Sequence, residues 1–266
     1  MGRSLLFEPY RALGYYASAI PFSLYKSDQD VLLASSVGDN AFYVYNTAKL
    51  SLVFMSRFIE ERITAIEAAA DGHIFTALSN QKIVKWNKMN KVLEYEGHTK
   101  PIVKFILSTD FLFSLAEEGE FIIFNIKTGQ IVKRRKFETS FTVMMHPTTY
   151  INKLLFAGGS KVELWNVIED TKIYDFKSTI EQGASVTVVV QSPVLHTVAL
   201  GHTDGTISLV NLQADEVLFQ FKQTEGAVRS LSFSSDTTLG VSLLASATGP
   251  SITLWDLNRR KVHSVV

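Results

Sequence analysis

The sequence predicts an all-β protein built from six recognisable four-stranded sheets, and three observations predict it. Short apolar segments ending in Asn or Asp recur along the chain: AFYVYN to Asn46, KIVKWN to Asn87, FIIFNI around Asn125, KVELWN to Asn166, TISLVN to Asn211 and SITLWD to Asp256. Successive endings lie roughly 38 to 45 residues apart, a length that holds four short strands and three turns. Middle segments such as LLFAGG and VSLLASA are apolar on consecutive residues, so both faces of each sheet must be covered. A single repeat cannot cover its own faces, so the copies must stack. Stacked side by side in a ring they form a β-propeller.

Taken in order, residues 1–18 are read as an N-terminal extension whose apolar SLLFEPYRALGYY is a candidate closing strand or a segment that pairs with a further domain. The blades then fall near residues 19–56, 62–96, 101–137, 140–177, 185–221 and 227–266. The sixth gives the template. Residues 227–233 alternate as strand a, SSDTT turns the chain, residues 241–247 form strand b, Gly249 and Pro250 turn it, residues 251–255 form strand c and residues 261–266 the outer strand d. The fourth divides likewise into residues 141–146, 153–156, 161–165 and 172–176. Gly158 and Gly159 there are expected to supply the positive φ of the b–c hairpin turn.

The residues that close strand c have separable roles. Trp86, Trp165 and Trp255 each bring a large apolar body with one N–H to satisfy, suited to a wedge between blades. The following Asn87, Asn166 and Asp256, like Asn125 and Asn211, can bond their own backbone two residues on and turn the chain into strand d. Strand-d segments such as VKRRKF are more charged, and charge on an exposed edge blocks sheet-to-sheet pairing.

Bulk properties bound the function. Basic and acidic residues balance at 26 each, so no global field draws the chain to nucleic acid or an anionic membrane. Cysteine is absent, which removes disulfides, thiolate zinc sites and cysteine nucleophiles, and suits a reducing compartment. The apolar stretch 186–200 is broken by Gln191, Pro193 and His196 and reads as two strands joined by a turn, not a bilayer span. MGRSLLFEPY has neither a myristoylation signal, with Leu6 where Ser or Thr belongs, nor a signal-peptide core. A soluble, intracellular chain without membrane contact is expected.

The six endings resemble those of the WD-repeat propellers, and EGHTKPIVKF, residues 96–105, is similar to the Gly-His opening of such a repeat. In that family a His, a strand-b Ser or Thr, the strand-c Trp and an Asp often form a polar chain. Here His98 precedes a repeat with Phe124 at the Trp position, and no repeat carries the full set, so this chain is not expected to be an important stabiliser. Three longer stretches carry a narrower resemblance: RALGYYASAIPF from Arg11, HPTTYINKLLFAGGSKVELWNV from His146, and the stretch from Val198 that begins VALGHTDGTISLVN. They resemble the N-terminal propeller of the tandem-WD-repeat family of UTP-B subunits, related to WD-repeat protein 36. HPTTYINK is the most specific of these because repeat packing does not require it. The resemblance implies a nucleolar scaffold in the small-subunit processome, whose partners are other UTP-B subunits and the U3 small nucleolar ribonucleoprotein with its ribosomal RNA precursor. Family members continue into a second propeller and seven blades are the commoner ring. A fragmentary or incomplete seven-bladed ring, or one whose last blade is borrowed, is therefore the alternative expectation.

Chemistry is weakly represented. His73, His98, His146, His196, His202 and His263 are scattered without metal-ligand spacing, and neither HExxH nor GxSxG occurs. GGSK lacks the spacing of a phosphate loop. Glu60, Glu61, Glu117 and Glu118 read as solvated turn residues. No catalytic residue, metal or cofactor is expected. Two basic clusters, Lys133 to Lys136 (Lys133, Arg134, Arg135, Lys136) and Arg259, Arg260 and Lys261, read as edge protection, with phosphate contacts to RNA from the first as the alternative. Partner contacts are placed on the loops joining strand d to the next strand a and strand b to strand c: Arg57, Arg62, Lys100, Glu118 and Arg229. A peptide-binding WD-repeat adaptor with no ribosomal role is the competing function, and a propeller enzyme the third.

Overall fold

The computed structural model describes residues 22–27, 30–148, 150–159, 161–177, 184–223, 226–234, 242–249 and 251–266. The proposed closing strand within residues 1–18, most of the SSDTT turn and Pro250 lie outside them. The described residues fall into two compact units that meet in sequence between Glu138 and Thr139.

In the first unit, β1 (Ser23–Ser27), β2 (Asp30–Val37), β3 (Ala41–Asn46) and β4 (Ser51–Met55) make one antiparallel sheet in chain order. β5 (Ile63–Ala68), β6 (Ile74–Leu78), β7 (Ile83–Asn87) and β8 (Asn90–Tyr95) make a second, and β9 (Ile102–Leu107), β10 (Phe111–Ala116), β11 (Glu120–Asn125) and β12 (Ile131–Lys136) a third. The second unit repeats the scheme three times. Its sheets are β13 (Val143–Met145), β14 (Lys153–Gly158), β15 (Lys161–Asn166) and β16 (Thr171–Asp175); β17 (Val186–Gln191), β18 (Thr197–His202), β19 (Thr206–Asn211) and β20 (Glu216–Lys222); and β21 (Ser230–Phe233), β22 (Leu243–Thr248), β23 (Ser251–Asp256) and β24 (Lys261–Val265). Within each unit the first strands of successive sheets lie against one another, β1 on β5 on β9 and β13 on β17 on β21. Each unit therefore fans outward from its first strands.

The core lies between sheets. Phe42 and Val44 of the first sheet pack with Ile63, Ile74 and Trp86 of the second, and Phe75 and Tyr95 of the second with Phe105 and Phe124 of the third. In the other unit Leu155 and Phe176 pack with Val198 and Val210, and Leu209 and Phe221 with Leu244 and Trp255. β6 and β18 are buried along their whole length, as strands covered on both faces must be.

Three strand-c aromatics work as wedges. Trp86 meets Phe42 edge-on with centroids 5.8 Å apart, Phe124 meets Tyr95 edge-on at 5.7 Å, and Trp255 stacks on Phe221 at 4.5 Å. Such pairs add about 0.5–1.5 kcal/mol beyond the area they bury. The indole N–H groups are satisfied at 2.8 Å by Thr76 Oγ1 for Trp86, Ser246 Oγ for Trp255 and Glu163 Oε2 for Trp165. The next residue caps the turn: Asn46, Asn125, Asn166, Asn211 and Asp256 each accept a backbone N–H two or three residues on, at 2.9–3.2 Å. At Asn87 a shorter hairpin takes over, in which Asn87 pairs with Asn90 and Lys88 adopts φ 51°.

One feature recurs in all six sheets without a sequence signal. The ladder between the third and fourth strands shifts register immediately before the wedge position, at Val44/Tyr45, Lys85/Trp86, Ile123/Phe124, Leu164/Trp165, Leu209/Val210 and Leu254/Trp255. The residue left over on the outer strand is Val53, Val92, Val132, Ile173, Leu218 or His263. A bulge sharpens the local twist and re-aims the neighbouring side chain. It also modifies the expectation about edges. β4 reads SLVFM and carries no charge at all, so its edge is protected by the twist at Val53, not by lysine or arginine.

The b–c turn of the fourth sheet corrects the glycine assignment. Only Gly159 takes a positive φ, 55°. Gly158 is a strand residue paired with Lys161, and a Cβ there would stand 2.7 Å from Phe141 Cα and from Ser140 O. Close approach of backbone to backbone, not a left-handed turn, requires that glycine.

Candidate functional site

Antiparallel order fixes where the loops gather: the b–c turn and the loop feeding strand a share one end of each sheet, and the a–b and c–d turns share the other. The first end carries the five expected contact residues. In the first unit the loop after β4 is pinned to the turn before β3, with Ile59 N donating to Asn40 O at 2.8 Å and Asn40 Nδ2 donating to Ile59 O at 2.9 Å. This holds Arg57 exposed on one side and Arg62 exposed on the other. Between them stands Phe58, 76% exposed, which sequence reasoning missed. Its apolar character alone gave no signal, because only the pinned loop turns it outward.

Lys100 and Glu118 come together, Nζ to Oε1 at 2.5 Å, and Lys136 reaches the other carboxylate oxygen at 3.6 Å. Glu118 sits at the crest of a 3₁₀ turn, Glu117–Gly119, with φ 57°. Arg229 lies in the second unit, exposed just before β21, its N–H bonded to Ala247 O.

Beneath the first unit's loops the third sheet holds a buried polar network. His98 Nδ1 lies 3.0 Å from Glu120 Oε2, and His98 Nε2 lies 2.6 Å from Ser114 Oγ, which donates to Ile122 O at 3.2 Å. Glu120 also accepts the Thr99 N–H at 2.9 Å and faces Arg134 Nη1 at 3.5 Å. Phe124 packs edge-on against the imidazole at 6.2 Å. No repeat carries the full set in sequence, yet the third sheet assembles a buried polar chain of its own. Phe124 has no N–H to donate to Ser114 Oγ where the family pattern has an indole donor, and Glu120, at the start of strand c, supplies the carboxylate. Burial pushes the His98 imidazole below its usual value while Glu120 pulls it back. For Glu120, burial raises the carboxyl, but Thr99, His98 and Arg134 together hold it below the usual range.

The basic run on β12 is partly spent inside the sheet. Arg134 donates to Gly97 O at 2.5 Å as well as facing Glu120, and Arg135 lies 5.3 Å over the Phe137 ring. Lys133 and Lys136 complete the run on an outer strand. In the second unit Arg260 lies 5.0 Å over Phe219, and Arg259 accompanies Asp256 at the head of β24. Elsewhere in that unit Lys222 pairs with Asp204; burial opposes it, but Lys222 and Thr206 hold the Asp204 carboxyl far below the usual carboxylate range.

Of the other histidines, His73 pairs with Asp71 at 2.9 Å, His202 Nε2 meets Ser208 Oγ at 3.2 Å, and His146 is half-buried and pushed below its usual value by that burial. Glu61 accepts from Ser79 Oγ at 3.0 Å. Among the described residues no three His, Asp or Glu side chains gather where they would hold a metal ion.

A family model described as the WDR36/Utp21 first β-propeller matches residues 33–266. The chain is 27% identical over 274 residues to the U3 small nucleolar RNA-associated protein 21 homolog of Schizosaccharomyces pombe, covering 99% of this chain and 29% of that protein. It is 30% identical over 274 residues to human WD repeat-containing protein 36, covering 97% and 29%, and 24% identical over 273 residues to U3 small nucleolar RNA-associated protein 21 of Saccharomyces cerevisiae, covering 98% and 28%. The chain thus spans less than a third of the length of these relatives.

Proposed function

The chain belongs to the WDR36/Utp21 first β-propeller family, and from that premise we propose that it is a non-catalytic scaffold module of the UTP-B complex, acting in the nucleolus within the small-subunit processome. Its work is to hold other UTP-B subunits and the U3 small nucleolar ribonucleoprotein in place while 18S ribosomal RNA matures. The observation that carries the reading is the family match over residues 33–266, joined to relatives whose names tie them to U3 small nucleolar RNA.

The geometry supports a docking mechanism. Sheets wedged by aromatic pairs and loops tied back by hydrogen bonds present fixed surfaces at both ends of each blade, so partners bind without any bond being made or broken. Arg57, Arg62, Lys100, Glu118 and Arg229 are the contact residues assigned to the end bearing the b–c turns. Direct contact with RNA is assigned to Lys133, Arg134, Arg135 and Lys136 only as the secondary route, since Arg134 is already bonded within its sheet.

Purification of the protein from its complete open reading frame, followed by sequencing of the associated RNA, tests the proposal. Recovery of U3 RNA with 18S precursors is expected. Recovery of protein partners with neither RNA would replace it with the peptide-binding adaptor.

A further inference from the structure

The segment HPTTYINK, which repeat packing does not require, finds its role at the other end of the second unit. Tyr150 reaches from the a–b loop of the fourth sheet to the a–b turn of the fifth, where its ring lies 5.7 Å from that of His196. Lys153 Nζ lies 5.1 Å over the same ring, so Tyr150 has two partners. Backbone bonds lock the two turns onto their own sheets: Val167 N donates to Asn152 O at 3.1 Å, and Leu212 N to His196 O at 2.7 Å. Asn152 and His196 both sit in the left-handed region, at φ 58° and 60°.

That construction turns large apolar side chains outward. Ile151, beside Tyr150, is 83% exposed, and Val194 and Leu195, beside His196, are 65% and 66% exposed. Ile168, on the c–d turn tied to Asn152, is 37% exposed. The corresponding a–b turns of the second and third sheets, Ala69, Ala70, Asp71, Gly72 and His73 in one and Ser108, Thr109 and Asp110 in the other, carry no large apolar side chain. Single exposed apolar residues are ordinary, but several on adjoining, rigidly held turns mark a contact surface. The flanking c–d turns add Glu169 and Glu216, and Asp215, whose carboxylate accepts from the Tyr174 hydroxyl at 3.0 Å and the Lys177 N–H at 3.3 Å; Lys153 directs its charge onto Tyr150.

We propose that Ile151, Val194, Leu195 and Ile168, with Tyr150 as their rigid support, form a docking site for a short apolar protein segment flanked by lysine or arginine. The apolar side chains set the affinity, and the acidic rim selects basic flanks and rejects acidic ones. The inference deepens the scaffold reading by naming a face and the chemistry of its occupant, and it rests on that reading only for the choice of a protein partner.

The test is a photo-crosslinking phenylalanine analogue placed at position 151 or 195 of the full-length protein in cells, with crosslinked peptides mapped by mass spectrometry. Crosslinks from both positions are expected to fall in one segment of another protein, apolar at its centre and basic at its ends. Replacing Ile151 and Leu195 together by Asp should then lower copurification of that protein at least tenfold, while U3 RNA recovery, which reads the scaffold proposal separately, persists. Crosslinks to a second copy of this chain, to RNA or to an acidic segment would overturn the proposal, as would none at all when an analogue at Phe58 does crosslink. Unchanged copurification by the double variant would also overturn it.

Discussion

The imidazole of His98 lies 3.0 Å from the carboxylate of Glu120, and the two side chains are only 1% and 10% exposed. A loop residue is thereby tied to the start of a central strand. The variant His98→Ala takes one buried hydrogen bond each from Glu120 and Ser114, which keep the Thr99 N–H with Arg134 and the Ile122 carbonyl respectively, and is expected to cost about 1–3 kcal/mol in all. Urea unfolding should show a midpoint lowered accordingly, and Glu120→Gln should show a smaller loss. A midpoint unchanged in His98→Ala would mean that the network contributes nothing.

The same pair contributes to the response to acid. His98 and His146 have depressed values in the fold, so the folded state binds fewer protons than the unfolded chain; their contribution is complete above the ordinary value of 6.5 and is lost as pH falls through it. Glu120 is also depressed, so its contribution is present above 4.5 and is lost as pH falls further, through its folded value. Stability should therefore decline in two successive steps on acidification. The double variant His98→Gln with His146→Gln should flatten the upper step in a series of urea midpoints between about pH 7.5 and pH 5. A full upper step in the variant would assign it to other groups.

The wedge residues should dominate the energetics of stacking. Trp255→Ala opens a cavity against Phe221 and is expected to cost about 3–5 kcal/mol. Ser246→Ala leaves the buried indole N–H unpaired and should cost about 1–3 kcal/mol. Calorimetric unfolding of the two variants distinguishes them, and equal losses would show that packing is not the larger part.

Two glycines should respond differently to alanine. At Gly158 the added Cβ meets backbone at 2.7 Å, which has no room to yield, so a loss of about 1–3 kcal/mol is expected. At Gly38, with φ 59° and open space around it, only the left-handed conformation is penalised, at about 1–2 kcal/mol. Adding Gly38→Asn, which tolerates that conformation, should recover most of the second loss and identify its cause. The same exchange at Gly158 should recover none.

Reversing charge at Lys133 and Lys136 tests the edge against the RNA reading. With β12 serving as a protected edge, affinity for an 18S precursor fragment and its dependence on salt should match the unaltered protein. A weaker affinity with a shallower salt slope would give these lysines to phosphate.

The repeat was legible because its signals are local. A Trp or Phe followed by Asn or Asp carries both its wedge and its turn chemistry in two residues, and Asn125, Asn166 and Asp256 bond as such residues can on any scaffold. The bulge before each wedge was invisible because it is a relation between two strands, and Val132 looks like any strand valine until its register with Ile123 and Phe124 is known. Glu120 was overlooked for a similar reason. It stands next to Glu117 and Glu118 in sequence, among carboxylates that face water, and only the fold turns it inward to His98. Tyr150 could be singled out as unneeded by the repeat, but its partner His196 is 46 positions away, in another sheet.

Placing indoles in the seams gives the molecule a built-in optical gauge. Trp86 against Phe42 and Trp255 against Phe221 each report the dryness of one boundary between neighbouring blades. Parting of the blades would redden tryptophan emission while the far-ultraviolet dichroism of the individual sheets persisted. Loosening of the assembly can thus be told apart from melting of its parts without attaching any label.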